Sequence, residues 1–255
     1  MNLDDDFANA AHIPDGGAYP ERWAAAAAAF RAEAVCELDL PYGEGPRQCF
    51  DLFHPPRLAR GAVIFVHGGY WMRFDKSFWS HLAAGPLAHG WAVAMPSYDL
   101  CPDVRITDIG QQIGEAIATI AERVPGPIRL TGHSAGGQLV ARAVTQHSRW
   151  RERVAQVLPI SPLGDLAPLM QTSMNATLQL DADEAAAESP VNLPAPPVPV
   201  TLWVGAAERP VFIDQARQLS EHWACPLHVA PERHHFDVIS DLAEPDTAMV
   251  ARLLQ

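Results

Sequence analysis

The sequence predicts an α/β fold: a mostly parallel central sheet flanked by helices, with a minimal cap. Three observations predict it. From about residue 35 onward, short apolar runs alternate with helix-length segments, the rhythm of βαβ units. A chain of 255 residues that is 48% hydrophobic can bury one sizeable core. A Gly-x-Ser-x-Gly motif stands between an apolar run and a helix-like stretch, the setting of a strained strand-to-helix turn.

The elements follow in chain order. Residues 1–34 read as an N-terminal helical extension. The opening Met1-Asn2-Leu3-Asp4-Asp5-Asp6 carries no positive region and is not a signal peptide. The alanine run Ala24–Ala29 is far too short to span a bilayer. Alanine is the best helix former, so this is an amphipathic helix anchored by Trp23 and Phe30. Strands are expected at Val35–Leu40, Gln48–Phe53, Ala62–Val66, Trp91–Met95, Ile128–Thr131, Gln156–Ile160, Val198–Val204 and Leu227–Val229. The first two are joined by Tyr42-Gly43-Glu44-Gly45-Pro46 and read as an antiparallel hairpin at the sheet edge. Helices are expected at Lys76–Ala88, Ile106–Arg123, Ala135–His147, Val211–Trp223 and Val238–Leu254, with Asp103 or Thr107 capping the second of these. Residues 162–197 hold no clear strand and end in a proline-dense connector. This excursion either roofs the pocket or is a plain surface loop. The whole chain reads as a single domain.

Composition narrows the function. Eighteen basic residues against 30 acidic ones leave a net charge of −12, with no basic stripe for nucleic acid and no membrane segment. The expected partner is a small-molecule substrate, and a homodimer stays open. Cys36, Cys49, Cys101 and Cys225 form neither a CxxC pair nor a metal spacing, which fits reduced thiols in the cytoplasm. No zinc, dinucleotide or P-loop motif appears, so no cofactor and no metal are expected.

The motif Gly132-His133-Ser134-Ala135-Gly136 points to nucleophilic chemistry. A serine hydroxyl needs a base within hydrogen-bond reach, and the base needs an orienting acid. In the α/β-hydrolase arrangement the chain order is serine, acid, histidine. Glu208 is the acid in the loop after Val200–Val204; Asp214, its rival, falls in the next helix. His235 follows the last strand as the base, with His234 beside it as the alternative. Donors for an oxyanion are expected from the backbone N–H of Ala135 and from His67-Gly68-Gly69-Tyr70-Trp71: Gly69 and Tyr70 first, Gly68 as their rival. His67 reads as a loop organiser. Tyr70 and Trp71 are expected to line the substrate pocket.

Several segments resemble the kynurenine formamidases (arylformamidases), a branch of the α/β-hydrolase fold. His67-Gly68-Gly69-Tyr70-Trp71 is similar to that family's H-G-G-x-W signature, where general esterases more often carry a third glycine at Tyr70. Ser97-Tyr98-Asp99-Leu100-Cys101-Pro102, Gly132–Gly137, Ser161-Pro162-Leu163-Gly164-Asp165-Leu166, Ser189-Pro190 and His235-Phe236-Asp237 extend the resemblance over residues 60–240. Many members carry aspartate where this chain has Glu208. The resemblance implies hydrolysis of N-formyl-L-kynurenine to L-kynurenine and formate. Two other readings compete. A carboxylesterase or thioesterase for small acyl esters shares every catalytic residue, and a non-catalytic ligand-binding protein of this fold would lack a triad member.

Overall fold

The computed structural model describes residues 3–255; Met1 and Asn2, the start of the acidic N-terminal run, lie outside them. Eight strands form one sheet: β1 (Cys36–Pro41), β2 (Cys49–Phe53), β3 (Ala62–Val66), β4 (Ala92–Pro96), β5 (Ile128–His133), β6 (Val154–Ile160), β7 (Leu202–Gly205) and β8 (Leu227–Ala230). Their order is β1-β2-β4-β3-β5-β6-β7-β8. The β1–β2 and β2–β4 pairs are antiparallel and every later pair is parallel. The hairpin therefore sits at one edge, as its short turn predicts. The central strands β3, β4 and β5 are buried along their whole length. β3 and β4 read as continuous apolar runs because helices cover both faces, whereas β5 also buries Arg129, Thr131 and His133.

The helices are α1 (Leu3–Asp6), α2 (Tyr19–Glu33), α3 (Ala84–Ala88), α4 (Ile106–Arg123), α5 (Ala135–Ala143), α6 (Asn175–Leu178), α7 (Ala182–Glu188), α8 (Pro210–Trp223) and α9 (Ala248–Leu254). In α2, Trp23, Ala27 and Phe30 recur at helical spacing; Trp23 and Ala27 are buried, and Trp23 and Phe30 join the cluster on one face of the sheet. Helix α4 spans the predicted range, with Ile106, Ile109, Ile113, Ile117 and Ile120 buried along a single stripe. Its cap is neither Asp103 nor Thr107. Arg105 holds the N-cap position, its N–H bound by Asp108 Oδ2 at 2.9 Å, while Thr107 turns to Glu184. Among the described residues no helix is long and apolar enough to cross a membrane.

Four predicted elements are interrupted, each for a local reason. The stretch Lys76–Ala88 divides into two 3₁₀ turns and the short α3. Asp75 caps the first turn through Ser77 N–H at 2.7 Å, and Pro86 supplies no N–H to continue a longer helix. Helix α5 stops at Ala143 instead of His147, where the Thr145 hydroxyl takes the Arg142 carbonyl at 2.7 Å. Strand β7 begins at Leu202, not Val198. Val200 bridges Val157, but prolines 196, 197 and 199 deny the ladder its donors. The last predicted helix divides at Pro245, and Thr247 recaps α9 by accepting from Val250 N–H.

The excursion at 162–197 holds no strand and is built from α6, α7 and 3₁₀ turns. Leu163, Leu166, Leu169, Leu178 and Leu180 bury it in the core, and ion pairs add to that tie: Glu184 receives Arg105, and Arg142 faces Glu188 at 3.2 Å.

Candidate active site

Three loops at the C-terminal ends of β5, β7 and β8 bring Ser134, Glu208 and His235 together. Ser134 occupies the sharp turn between β5 and α5 with φ 57° and ψ −118°. A side chain rarely adopts this backbone, and the surroundings hold it there. A Cβ on Gly132 would lie 2.4 Å from the Gly136 carbonyl oxygen, and one on Gly136 would lie 2.0 Å from the Val66 oxygen. Only glycine lets β5, the turn and β3 approach so closely. The Ser134 N–H is tied to Ile160 O at 2.8 Å.

Glu208 and His235 form a buried pair. Glu208 Oε2 meets His235 Nδ1 at 2.6 Å, with the two side chains 0% and 3% exposed. The other carboxylate oxygen, Oε1, accepts from Ser161 Oγ at 2.5 Å and from Gly205 N–H at 2.8 Å. Every donor a buried carboxylate needs is thus in place. The ring of Phe212 lies 4.2 Å from that of His235 and buttresses it. The rivals are elsewhere. Asp214 is on the outer face of α8, paired with Arg217 at 2.8 Å. His234 meets the Tyr19 hydroxyl at 3.1 Å, and its Nδ1 receives the N–H of Phe236. Arg209, the obvious neighbour for Glu208, instead pairs with Asp5 and Asp6.

Ser134 and His235 open on one cavity of about 500 Å³. Six aromatic side chains stand in its walls: Phe7, Trp23, Tyr70, Phe74, Trp79 and Phe236. His133 also borders it. Burial, then the adjacent His235, holds the His133 imidazole well below its usual value, in the neutral form. Arg73 is exposed at the rim and engages no hydrogen bond or ion pair among the described residues.

The loop after β3 borders the same cavity. Gly68 packs against the nucleophile, where an added Cβ would come within 3.0 Å of Ser134 Cβ. Gly69, Tyr70 and Trp71 have φ of 115°, 53° and 57°, three successive left-handed residues that turn the backbone. The N–H groups of Gly68, Gly69, Tyr70 and Ala135 take no protein acceptor among the described residues. His67 is enclosed behind the loop, stacked on Tyr98 at 4.3 Å, with Nδ1 on Gly68 O at 2.8 Å. Burial lowers it to about 4, so it organises the loop as a neutral ring.

Trp71 requires a correction. Expected in the pocket wall, it is 0% exposed and does not border the cavity. Its indole N–H reaches Gln138 Oε1 at 3.1 Å, and Gln138 Nε2 reaches Glu188 O at 2.8 Å. An indole buried with its donor satisfied is an anchor for the loop.

The sequence reading missed the main roof. The excursion contributes Met174 to the cavity, but Phe7, Asn9 and Gly16 of the N-terminal segment line much more of it. Tyr70 Oη donates to Phe7 O at 2.7 Å, Phe7 packs on Phe212, and Ser173 N–H donates to Asp4 Oδ1 at 2.6 Å. The acidic run Asp4-Asp5-Asp6 was the available signal: its partner Arg209 adjoins Glu208 in sequence.

A model of the alpha/beta hydrolase fold family matches residues 63–225. The chain belongs to this family. The alpha/beta hydrolase is also similar to the kynurenine formamidase of Salmo salar: 26% identical over 247 residues, covering 88% of this chain and 83% of that protein. With the kynurenine formamidase of Drosophila melanogaster it shares 28% identity over 241 residues, covering 85% and 79%. A crystal structure from Silicibacter sp. tm1040, described provisionally as a thioesterase, is 52% identical over the whole of both chains, with a TM-score of 0.98. This alpha/beta hydrolase is thus kynurenine formamidase-like in sequence over most of its length.

Proposed function

We propose that this hydrolase is an arylformamidase that cleaves N-formyl-L-kynurenine to L-kynurenine and formate. The observation that carries the reading is the aromatic-walled cavity at Ser134, in a chain whose relatives over most of its length include kynurenine formamidases. Ser134 Oγ attacks the formyl carbon while His235 takes its proton, and Glu208 orients His235 and stabilises its cation. The N–H groups of Ala135, Gly69 and Tyr70, with Gly68 adjoining, receive the developing oxyanion. The C–N bond then breaks, and His235 passes the proton to the departing aromatic amine. Water, deprotonated by His235, attacks the formyl-serine ester and releases formate.

The chemistry suits the cavity. A formyl group needs almost no acyl pocket, so the aromatic walls are free to hold the aryl leaving group. Tyr70 lies in those walls, and Arg73 at the rim offers a guanidinium to the carboxylate of the amino-acid end.

A second reading, a thioesterase or esterase for small acyl groups, is favoured by the 52% identical protein described provisionally as a thioesterase. It uses the same three side chains. Purified protein assayed with N-formyl-L-kynurenine, p-nitrophenyl acetate and an acyl thioester, beside a Ser134→Ala control, separates the two. Serine-dependent release of kynurenine supports the formamidase. Fast ester or thioester cleavage with negligible formamide turnover reassigns the substrate. Near-native turnover by Ser134→Ala would remove the whole scheme.

A further inference from the structure

Asn9 is 6% exposed and borders both the main cavity and a space of about 20 Å³ beside Glu208 and His235. The orientation of its amide follows from its neighbour. The Tyr70 hydroxyl has one proton, and it donates that to Phe7 O at 2.7 Å. Tyr70 Oη therefore accepts from Asn9, and the amide nitrogen, 3.4 Å away, must face it. Asn9 Oδ1 is left as a buried acceptor without a protein partner. An unpaired carbonyl oxygen in an apolar wall is costly, and a ligand that brings a donor relieves that cost.

We propose that Asn9 is a specificity-determining residue whose Oδ1 accepts a hydrogen bond from an N–H group on the leaving-group side of the substrate. It rests on the formamidase reading and deepens it. Aryl amides and aromatic amines carry such a donor; aryl esters and thioesters have only acceptors at the corresponding atom. The N-terminal segment then does more than exclude water, because it selects nitrogen over oxygen in the bond to be cleaved.

The test compares formanilide with phenyl formate, which share the formyl group and the ring and differ in N–H against O. Asn9→Leu removes the acceptor at similar size. Tyr70→Phe removes the hydroxyl that Asn9 Nδ2 faces and keeps the acceptor. Asn9→Leu is expected to lower kcat/KM for formanilide roughly tenfold more than for phenyl formate. Tyr70→Phe is expected to lower both in similar proportion. Equal losses on both substrates with Asn9→Leu would overturn the proposal and leave Asn9 as a structural tie. If the wild-type protein cleaves phenyl formate and not formanilide, the formamidase reading fails and Asn9 is still tested. N-methylaniline and anisole, which differ in N–H against an ether oxygen with no proton to donate, then serve as competitive inhibitors of ester cleavage, and Asn9→Leu must abolish a preference for N-methylaniline. No such preference in the wild type would also overturn the proposal.

Discussion

Replacing Glu208 by glutamine keeps the shape of the side chain and reverses half of its polarity. Three donors converge on the carboxylate: Ser161 Oγ, Gly205 N–H and His235 Nδ1. A carboxylate accepts from all three, whereas an amide has one oxygen and one NH₂ group. The backbone N–H of Gly205 cannot turn away, so the amide oxygen stays there and the NH₂ faces His235 Nδ1. Two donors then oppose each other unless the imidazole changes tautomer. With Nδ1 as acceptor, the proton sits on Nε2, where the lone pair is needed as the base. By analogy with other triads the loss in kcat is about 10³–10⁴-fold, or about 4–5.5 kcal/mol of transition-state stabilisation. KM is expected to change little, because Glu208 is sealed from the cavity by His235. Steady-state kinetics on a formamide substrate, with Tm measured in parallel, provide the assay. A Glu208→Gln enzyme within tenfold of wild type and equally stable would refute the orienting role.

Three further outcomes are expected. Phe7→Ala removes a side chain that is 2% exposed and packs on Phe212, at a packing cost of about 3 kcal/mol. It should loosen the N-terminal roof, raising KM for aryl substrates and exposing residues 3–18 to protease; replacing the exposed Asp5 should do little, since salt screens that pair. Gln138→Leu strands the Trp71 indole N–H and the Glu188 carbonyl, at about 1–3 kcal/mol for each buried group. The double variant with Trp71→Phe should be less destabilised than the sum of the two single variants in urea unfolding; strict additivity would mean that the two side chains are uncoupled. Burial holds His67 at about 4, below its ordinary 6.5, so between those values the unfolded chain binds the extra proton. Its stabilising share is complete above pH 6.5 and is lost as the pH falls toward 4, by up to about 3 kcal/mol. Urea midpoints at pH 7 and pH 4.5 should converge in a His67→Asn variant, and an unchanged pH slope would exclude His67 as the cause.

Local chemistry alone determines much of this protein. The isoleucine stripe of α4, the buried runs of β3 and β5, and the glycines flanking Ser134 are each readable from neighbours a few residues apart, because periodicity and steric demand are short-range. The chain order serine, acid, histidine likewise restricted Glu208 and His235 to single loops. Where the reading went astray, distant groups decide. Trp71 looks like a pocket wall in sequence, and only packing against Gln138, far along the chain, makes it an anchor. The N-terminal segment reads only as a helical extension until Tyr70 and Phe212 are seen to hold Phe7 over the cavity. A pocket is a shape enclosed by segments remote in sequence. Its roof, its volume and the unpaired oxygen of Asn9 exist only once the tertiary structure has brought those segments together.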